Sequence, residues 1–251
     1  MKVKIFKLIK FLVLTTFLIS LGWTVYATAH YLRTSPRFEV RQLSVSGLHR
    51  VSESEVIERA NFDLGTNAFA VDLEQMRQRI ERLQWVRHAE VRRNLPNEIC
   101  IKVTERSPVG LAQIDGQTYE FDDEAVILER DKVSLASFPI LEGLQPGDSE
   151  GNKQKVELYK KVRDALGDSE LSEVHIDGRG DVSIVGASDR LLVSIGGEDF
   201  RARWVKYKEL KPQIELQYPD AVRIDLRFKN QVIVRMQGDN KVIWDGEKKL
   251  L

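Results

Sequence analysis

The sequence contains very little cysteine and no excess charge of either sign. Cys100 is the only cysteine in 251 residues, which excludes an intramolecular disulfide and a cysteine-based structural zinc site. Lysine plus arginine and aspartate plus glutamate both number 38, so the chain lacks the cationic excess that is typical of nucleic-acid-binding proteins. The mean hydropathy of −0.30 excludes a protein with many membrane spans. We therefore expect a globular protein with no nucleic-acid partner.

Long hydrophobic runs are absent except for one near the N-terminus. No charged residue occurs from Phe11 to Leu32. As a helix that rises about 1.5 Å per residue, this run spans about 33 Å, which matches the hydrocarbon core of a bilayer. Aromatic rings lie near its far end, where they favour the headgroup layer. The predicted membrane-anchor residues are Leu12, Leu14, Phe17, Leu18, Ile19, Leu21, Trp23 and Tyr26.

Lysines without acidic neighbours flank only the near end of this run. The four lysines within residues 1–10 predict that this short tail stays in the cytoplasm and that the chain after Leu32 is exported. The same pattern fits a signal peptide cleaved near Ala27-Thr28-Ala29. We favour the uncleaved anchor, because the uncharged run continues past that site. Both interpretations export the rest of the chain.

Residues 38–106 predict a compact unit that follows a linker at residues 33–37. Its first strand is predicted over Phe38–Gly47. Ser52 and Glu55 then form a capping box, which predicts a helix that ends near Ala60. Asp72 begins a second helix, in which apolar residues recur at steps of three and four and form one stripe. The stripe consists of Leu73, Met76, Ile80 and Leu83.

Two paired strands complete the order β-α-α-β-β. They are predicted over Trp85–Arg92 and Glu98–Arg106, because the turn-forming residues Asn94-Leu95-Pro96-Asn97 separate them. Ile99, Ile101 and Val103 lie on one face, which we expect to be buried. Cys100 lies on the opposite face, where no neighbouring base indicates a reactive thiol.

This first unit resembles a POTRA (polypeptide-transport-associated) domain. The resemblance rests on Val45-Ser46-Gly47, on Val51-Ser52 and on Trp85-Val86-Arg87-His88-Ala89-Glu90-Val91 with the arginines and the turn that follow. The run Ile101-Lys102-Val103-Thr104-Glu105-Arg106-Ser107-Pro108-Val109 resembles the strand that leaves such a domain in the FtsQ/DivIB family of bacterial division proteins.

After Pro108 the sequence is rich in strand patterns and contains two helical segments. Asp115-Gly116 is a strong hairpin signal between two short strands. Helices are predicted over Asn152–Leu166 and Phe200–Leu210, and we expect Pro212 to stop the second one. The fold class is therefore predicted as α+β, with a β-rich domain over residues 107–237 and a C-terminal tail over residues 238–251.

The last strands of this domain are predicted over Ala221–Phe228 and Gln231–Met236. In the first of them, apolar residues alternate with Arg223, Asp225 and Arg227, which indicates a half-buried strand. Its place near the end of the domain predicts an edge, and an edge strand can accept a strand from another chain. The periodicity fits equally well a solvent-facing edge that the two arginines protect.

The combination of one N-terminal anchor, a POTRA unit and a β-rich domain ending in Ile224-Asp225-Leu226-Arg227-Phe228 is similar to the FtsQ/DivIB architecture. The resemblance covers the chain from Lys2 to about Arg235. It implies a bitopic inner-membrane scaffold of the division machinery, concentrated at the septum, which links early and late division proteins and controls septal peptidoglycan synthesis. Its POTRA domain would contact other division proteins.

The resemblance also implies a partner and a docking site. In the family, the terminal strands bind a coiled-coil protein of the FtsB/DivIC type, itself paired with FtsL, by strand addition. Arg227 and Phe228 match a basic–aromatic pair there, although Phe228 replaces the commoner tyrosine and lacks its hydroxyl. The partner-binding residues implied in this way are Val222, Ile224, Asp225, Leu226, Arg227, Phe228, Val232 and Val234.

The sequence predicts no enzyme, metal site or cofactor. Gly147-Asp148-Ser149-Glu150-Gly151 matches the pattern of a nucleophile elbow, but carboxylates flank the serine and the chain order of a triad is missing. The four histidines lack the spacing of a metal site. Two alternatives to a scaffold remain: an export or assembly factor that uses its POTRA domain as a peptide-binding module, and a tethered hydrolase of the cell envelope.

Overall fold

The computed structural model describes residues 2–128, 138–229, 231–238, 241–244 and 249–250. The chain divides into two compact units between Arg106 and Ser107. The elements of the first unit are α1 (Lys2–Thr34), β1 (Gln42–Ser46), α2 (Glu53–Ala60), α3 (Leu73–Ile80), β2 (Val86–Asn94) and β3 (Glu98–Glu105).

The second unit contains most of the strands and two long helices. Its elements are β4 (Pro108–Ile114), β5 (Gln117–Asp122), β6 (Ile127–Leu128), β7 (Ile140–Glu142), α4 (Ser149–Leu166), β8 (Leu171–Ile176), β9 (Val182–Gly186), β10 (Leu192–Ser194), α5 (Phe200–Gln217), β11 (Ala221–Asp225), β12 (Val232–Met236), β13 (Lys241–Trp244) and β14 (Lys249–Leu250). The predicted α+β class is confirmed.

Helix α1 carries the predicted membrane anchor. Within it, Lys10–Thr34 is long and apolar enough to cross a bilayer, and none of its most apolar stretch is buried in the protein. All eight predicted anchor side chains are more than half exposed. Apolar side chains exposed along a whole helix are stable in lipid rather than in water. At the end of the helix, Asn67 Nδ2 donates to the carbonyl of Leu32 at 3.0 Å.

The two short helices of the first unit begin where their capping residues predict. The Ser52 hydroxyl accepts a hydrogen bond from the Glu55 N–H at 3.2 Å, and the Asp72 carboxylate accepts one from the Gln75 N–H at 3.0 Å. Both helices pack on one face of a three-stranded sheet in the order β1-β3-β2, in which β1 and β3 are parallel. The buried face of β3 consists of Ile99, Ile101 and Val103, as predicted, and Cys100 is half-buried.

The first strand is shorter than predicted. Phe38 ends a 3₁₀ turn, and Val40 pairs with the loop that follows α2, because its N–H donates to the carbonyl of Thr66 at 3.0 Å. Regular pairing with β3 begins only at Gln42. At this point the N–H groups of Arg41 and Gln42 both donate to the carbonyl of Asn97. The alternation of apolar residues also shifts here, from the even positions 38 and 40 to the odd positions 43 and 45.

The second unit is built on one eleven-stranded sheet with the order β14-β13-β12-β11-β10-β9-β8-β7-β4-β5-β6. The predicted hairpin joins β4 to β5, and Asp115 and Gly116 both have positive φ. Apolar residues of α4 and α5, such as Tyr159 and Trp204, share one core with the buried residues of the strands. Because side chains alternate along a strand, the half-buried polar residues of β8 to β12 lie on the opposite face.

Both predicted helices of this unit are longer than expected. Helix α4 begins at Ser149, because Asp148 caps it by accepting from the Gly151 N–H at 2.9 Å. The Gly147–Gly151 segment, which matches the pattern of a nucleophile elbow, is therefore the start of a helix. Helix α5 continues through Pro212 to Gln217, so the predicted stop at Pro212 is wrong. The side chain of Ile214 is buried in the core and holds the last turns in place.

Candidate functional site

The predicted docking strand β11 is an interior strand. It pairs in parallel with β10 on one side and antiparallel with β12 on the other. Its backbone hydrogen-bonding groups are therefore already used within the chain. The expectation that Val222–Phe228 would offer an open edge to an incoming strand is wrong, because sequence periodicity does not reveal which strands lie beside one another.

The margin of the sheet lies farther along the chain. Residues 241–244, which the sequence analysis assigned to a tail, form β13 and pair antiparallel with β12 through four register positions from Val232 to Arg235. Strand β14 then pairs with Ile243 and Trp244. The ribbon β13–β14 thus covers the outer edge of β12.

The six apolar residues among the predicted partner-binding residues divide into two groups. The side chains of Ile224, Leu226, Val232 and Val234 are buried in the core of the second unit, where they pack beneath the two helices. Val222 and Phe228 are 46% and 47% exposed. Only these two of the six apolar residues have side chains that another protein can contact directly.

Arg227 is held by two carboxylates. Its Nε and Nη2 donate to the two oxygens of Asp225 at 2.9 and 2.7 Å, and its Nη1 donates to Asp181 Oδ2 at 2.6 Å. Burial by itself raises the pKa of Asp225, but the hydrogen bonds from Arg227 outweigh it and leave that pKa below its ordinary value. The same contacts raise the pKa of Arg227. The guanidinium is therefore a fixed cation whose position is set before any partner arrives.

Arg223 is oriented by two hydroxyl groups that the sequence analysis did not single out. Ser183 and Ser194 are buried register partners on β9 and β10, and their oxygens lie 3.0 Å apart. Arg223 donates to Ser194 Oγ from Nε at 3.0 Å and from Nη2 at 2.9 Å, and to Ser183 Oγ at 3.3 Å. No local signal in the sequence indicates this arrangement, because Arg223 lies 29 residues from Ser194 and 40 residues from Ser183.

His175 is not isolated, contrary to its position in the sequence. Its Nδ1 lies 2.7 Å from Glu142 Oε2, and its Nε2 lies 3.1 Å from Glu173 Oε2. One metal ion would need a single ring nitrogen and both carboxylates on the same side. Here the two carboxylates contact opposite edges of the ring, so the cluster is better described as a hydrogen-bonded ladder across β7 and β8.

Apart from Glu173, these polar residues line one groove on the open face of the sheet. Its volume is about 540 Å³, and it extends from Glu142 and His175 to Arg227 and Arg235. Arginine and aspartate predominate among its charged groups, and apolar contacts come from residues such as Leu192 and Ile233. Such a surface is suited to binding a polypeptide by ion pairs and hydrogen bonds.

Comparison with known proteins gives two family matches. Residues 38–106 match the POTRA domain of FtsQ type, and residues 110–227 match the C-terminal domain of the cell division protein FtsQ/DivIB. The cell division protein FtsQ of Koribacter versatilis is 31% identical over 232 residues, which cover 86% of this chain and 67% of that protein. The protein of the same name from Syntrophotalea carbinolica is 25% identical and covers 88% of this chain and 83% of its own length.

Among solved structures, the major extracytoplasmic domain of the cell division protein DivIB from Geobacillus stearothermophilus is similar over 45% of this chain and 97% of its own. The identity is 19% and the TM-score is 0.29.

Proposed function

Because this chain belongs to the FtsQ/DivIB family of bacterial cell-division proteins, we propose that it is a membrane-anchored scaffold of the division machinery that binds a coiled-coil pair of the FtsB/FtsL type. Through that binding it links early and late division proteins and controls septal peptidoglycan synthesis. It acts by binding alone, and makes or breaks no covalent bond.

The observation that carries the proposal is the C-terminal margin of the large sheet. Strand β12 already accepts an antiparallel strand on its outer edge, so its backbone has the geometry that strand addition requires. Next to it, Phe228 and Val222 are exposed although both are large and apolar. Aromatic side chains are enriched at the centres of protein interfaces.

On this proposal, the partner strand takes the place of β13 beside β12. The backbone of residues 232–235 then supplies hydrogen bonds, Phe228 supplies apolar contact, and Arg227 pairs with a partner carboxylate near Asp181 and Asp225. Ile224, Leu226, Val232 and Val234 contribute through the rigidity of the strands and not through direct side-chain contact.

The proposal also includes topology and location. The lysines before the anchor support a cytoplasmic N-terminus, with the POTRA domain and the second unit in the periplasm, and on this proposal the protein is concentrated at the septum. The POTRA domain contacts other division proteins. The alternative of an export or assembly factor has no support beyond the presence of this domain.

The docking site is tested with the full-length protein in detergent and a tagged FtsB/FtsL-type pair from the same genome. Phe228→Ala is expected to weaken binding by about ten- to a hundredfold, as for an aromatic hot spot. Leu216→Ala is the matched control, because Leu216 is 84% exposed on α5 of the same unit. Equal binding by the wild type and by Phe228→Ala would refute this site.

Removing the ribbon tests the displacement step. A chain that ends at residue 238 is expected to bind the same pair more tightly, because no strand then has to be displaced from β12. Loss of binding by this truncated chain, with an unchanged melting temperature, would mean that the partner docks on the ribbon itself.

A further inference from the structure

The open face of the large sheet carries two rows of side chains that cross the strands. Register partners on adjacent strands point to the same face. The first row, here called the polar row, consists of Glu142, His175, Ser183, Ser194, Asp225 and Ile233. The second, called the charged row, consists of Glu173, Val185, Leu192, Arg223 and Arg235. The groove described above follows the polar row and the part of the charged row from Leu192 to Arg235.

The charged row has opposite signs at its two ends. Arg223 and Arg235 lie directly across from each other on β11 and β12, and like charges in that relation destabilise a sheet. Glu173 on β8 lies at the other end, and Glu142 of the polar row lies on the adjacent strand β7. Half-buried Leu192 and Val185 lie between the two ends.

The two arginines have donors available for a ligand. Arg223 is bonded only to the serine hydroxyls, and neither it nor Arg235 forms an ion pair with any residue whose side chain is described. Nε and Nη2 of Arg223 make three hydrogen bonds to the two serines, which fix the position of the side chain and leave Nη1 unengaged. The free Nη1 of a guanidinium held in this way is suited to a charge-assisted hydrogen bond with a carboxylate.

The far end of the groove restricts what kind of anion can bind. Asp177 and Glu142 line it, and Glu173 lies beside His175. A continuous polyanion or an anionic membrane surface laid over the arginines would meet these carboxylates a few strands away. A polypeptide can place carboxylates at one end and cationic side chains at the other, with apolar side chains over Leu192 and Val185.

We propose that this face is a second docking surface, distinct from strand addition at the sheet margin, which binds a partner segment that crosses the strands from Arg235 to Glu142. Six strands at a spacing of about 4.8 Å make this path about 24 Å long. That length corresponds to about seven extended residues or about sixteen helical ones. The segment carries acidic residues over β11 and β12 and basic residues over β7 and β8.

The experiment uses fluorescent sixteen-residue peptides and the full-length protein in detergent. Two of the peptides have two glutamates at one end, leucines in the middle and two lysines at the other end. They differ in whether the glutamates lie at the N-terminus or at the C-terminus. A scrambled peptide has the same composition with alternating charges. Fluorescence anisotropy at low salt gives the affinities, and at least one end-charged peptide is expected to bind about fivefold or more tightly than the scrambled one.

Arg235→Glu is expected to abolish this preference, and so is Glu173→Lys at the other end. Arg201→Glu is the matched control, because Arg201 is exposed on α5, away from the groove. Binding that does not distinguish the peptides, or that is the same in Arg235→Glu as in the wild type, would overturn the proposal. A lipid test uses the protein with its anchor already embedded in a nanodisc. The proposal would also be overturned if this protein bound added phosphatidylglycerol vesicles in an Arg235-dependent way, because the surface would then recognise lipid.

Discussion

At the residue scale, the surroundings of Gly47 explain why the motif Val45-Ser46-Gly47 requires glycine at its last position. Its φ is +84°, and a Cβ at this position would lie 2.0 Å from the carbonyl oxygen of Val103. That oxygen belongs to the backbone of β3 and cannot move without disturbing the sheet. Gly65 also has a positive φ, but a Cβ there would meet nothing within 4 Å.

Gly47→Ala is therefore expected to lower the free energy of unfolding by about 3 kcal/mol or more, since backbone strain and a steric overlap add together. Gly65→Ala is expected to cost only about 1 kcal/mol, from backbone strain alone. Urea denaturation of both variants measures the difference. Equal losses would mean that β1 shifts to accommodate the methyl group.

The Asp225–Arg227 pair gives a second prediction, on pH. Because the folded protein lowers the pKa of Asp225, the stabilisation is complete above the unfolded value of about 3.9 and is lost as pH falls through the folded value. Asp225→Asn is expected to cost about 1–2 kcal/mol at pH 7, since it removes a charge-assisted pair that is only partly buried.

The difference between wild type and Asp225→Asn should shrink as the pH falls below about 4. Denaturation curves at several pH values measure it, with the exposed Asp220→Asn as the control. A cost that stays constant down to strongly acidic pH would show that the carboxylate charge does not stabilise the folded state.

At the element scale, helix α5 contains a residue that its own local sequence disfavours. Pro212 lies inside the helix and has no N–H to donate to the preceding turn. The helix continues because Ile214, one turn from its end, is buried in the core. Tertiary packing here outweighs a local cost of about 3 kcal/mol.

Pro212→Ala is therefore expected to raise the free energy of unfolding by about 1–3 kcal/mol, since alanine restores the missing donor and removes the ring. The melting temperature measured by circular dichroism should rise accordingly. A fall in the melting temperature would mean that the ring contributes more through its packing than it costs the helix.

At the scale of the whole molecule, the proposed orientation of the anchor sets the side of the membrane on which the POTRA domain and the second unit lie. A reporter enzyme that is active only outside the cytoplasm, fused after Leu251, is expected to be active. Replacing Lys2, Lys4, Lys7 and Lys10 by glutamate should reduce that activity, because the positive flank sets the orientation of the anchor. Substituting the same number of lysines on α4 is the control, and a reporter that is silent in the unaltered chain would refute the proposed topology.

The sequence by itself determined those features that depend only on residues close to one another along the chain. The anchor, the helix starts at Ser52 and Asp72 and the hairpin at Asp115-Gly116 all follow from local rules of hydropathy, capping and turn formation, and the motifs of the POTRA unit lie within a few residues of each other.

Tertiary structure alone decided which strands are interior and which side chains meet. Periodicity predicts that β11 is half-buried but not that β10 and β12 lie on either side of it. Arg227 finds Asp181 from 46 residues away, and Arg223 meets serines on two other strands. These contacts depend on the order of strands in the sheet, which is set by the packing of the whole core and leaves no local trace in the sequence.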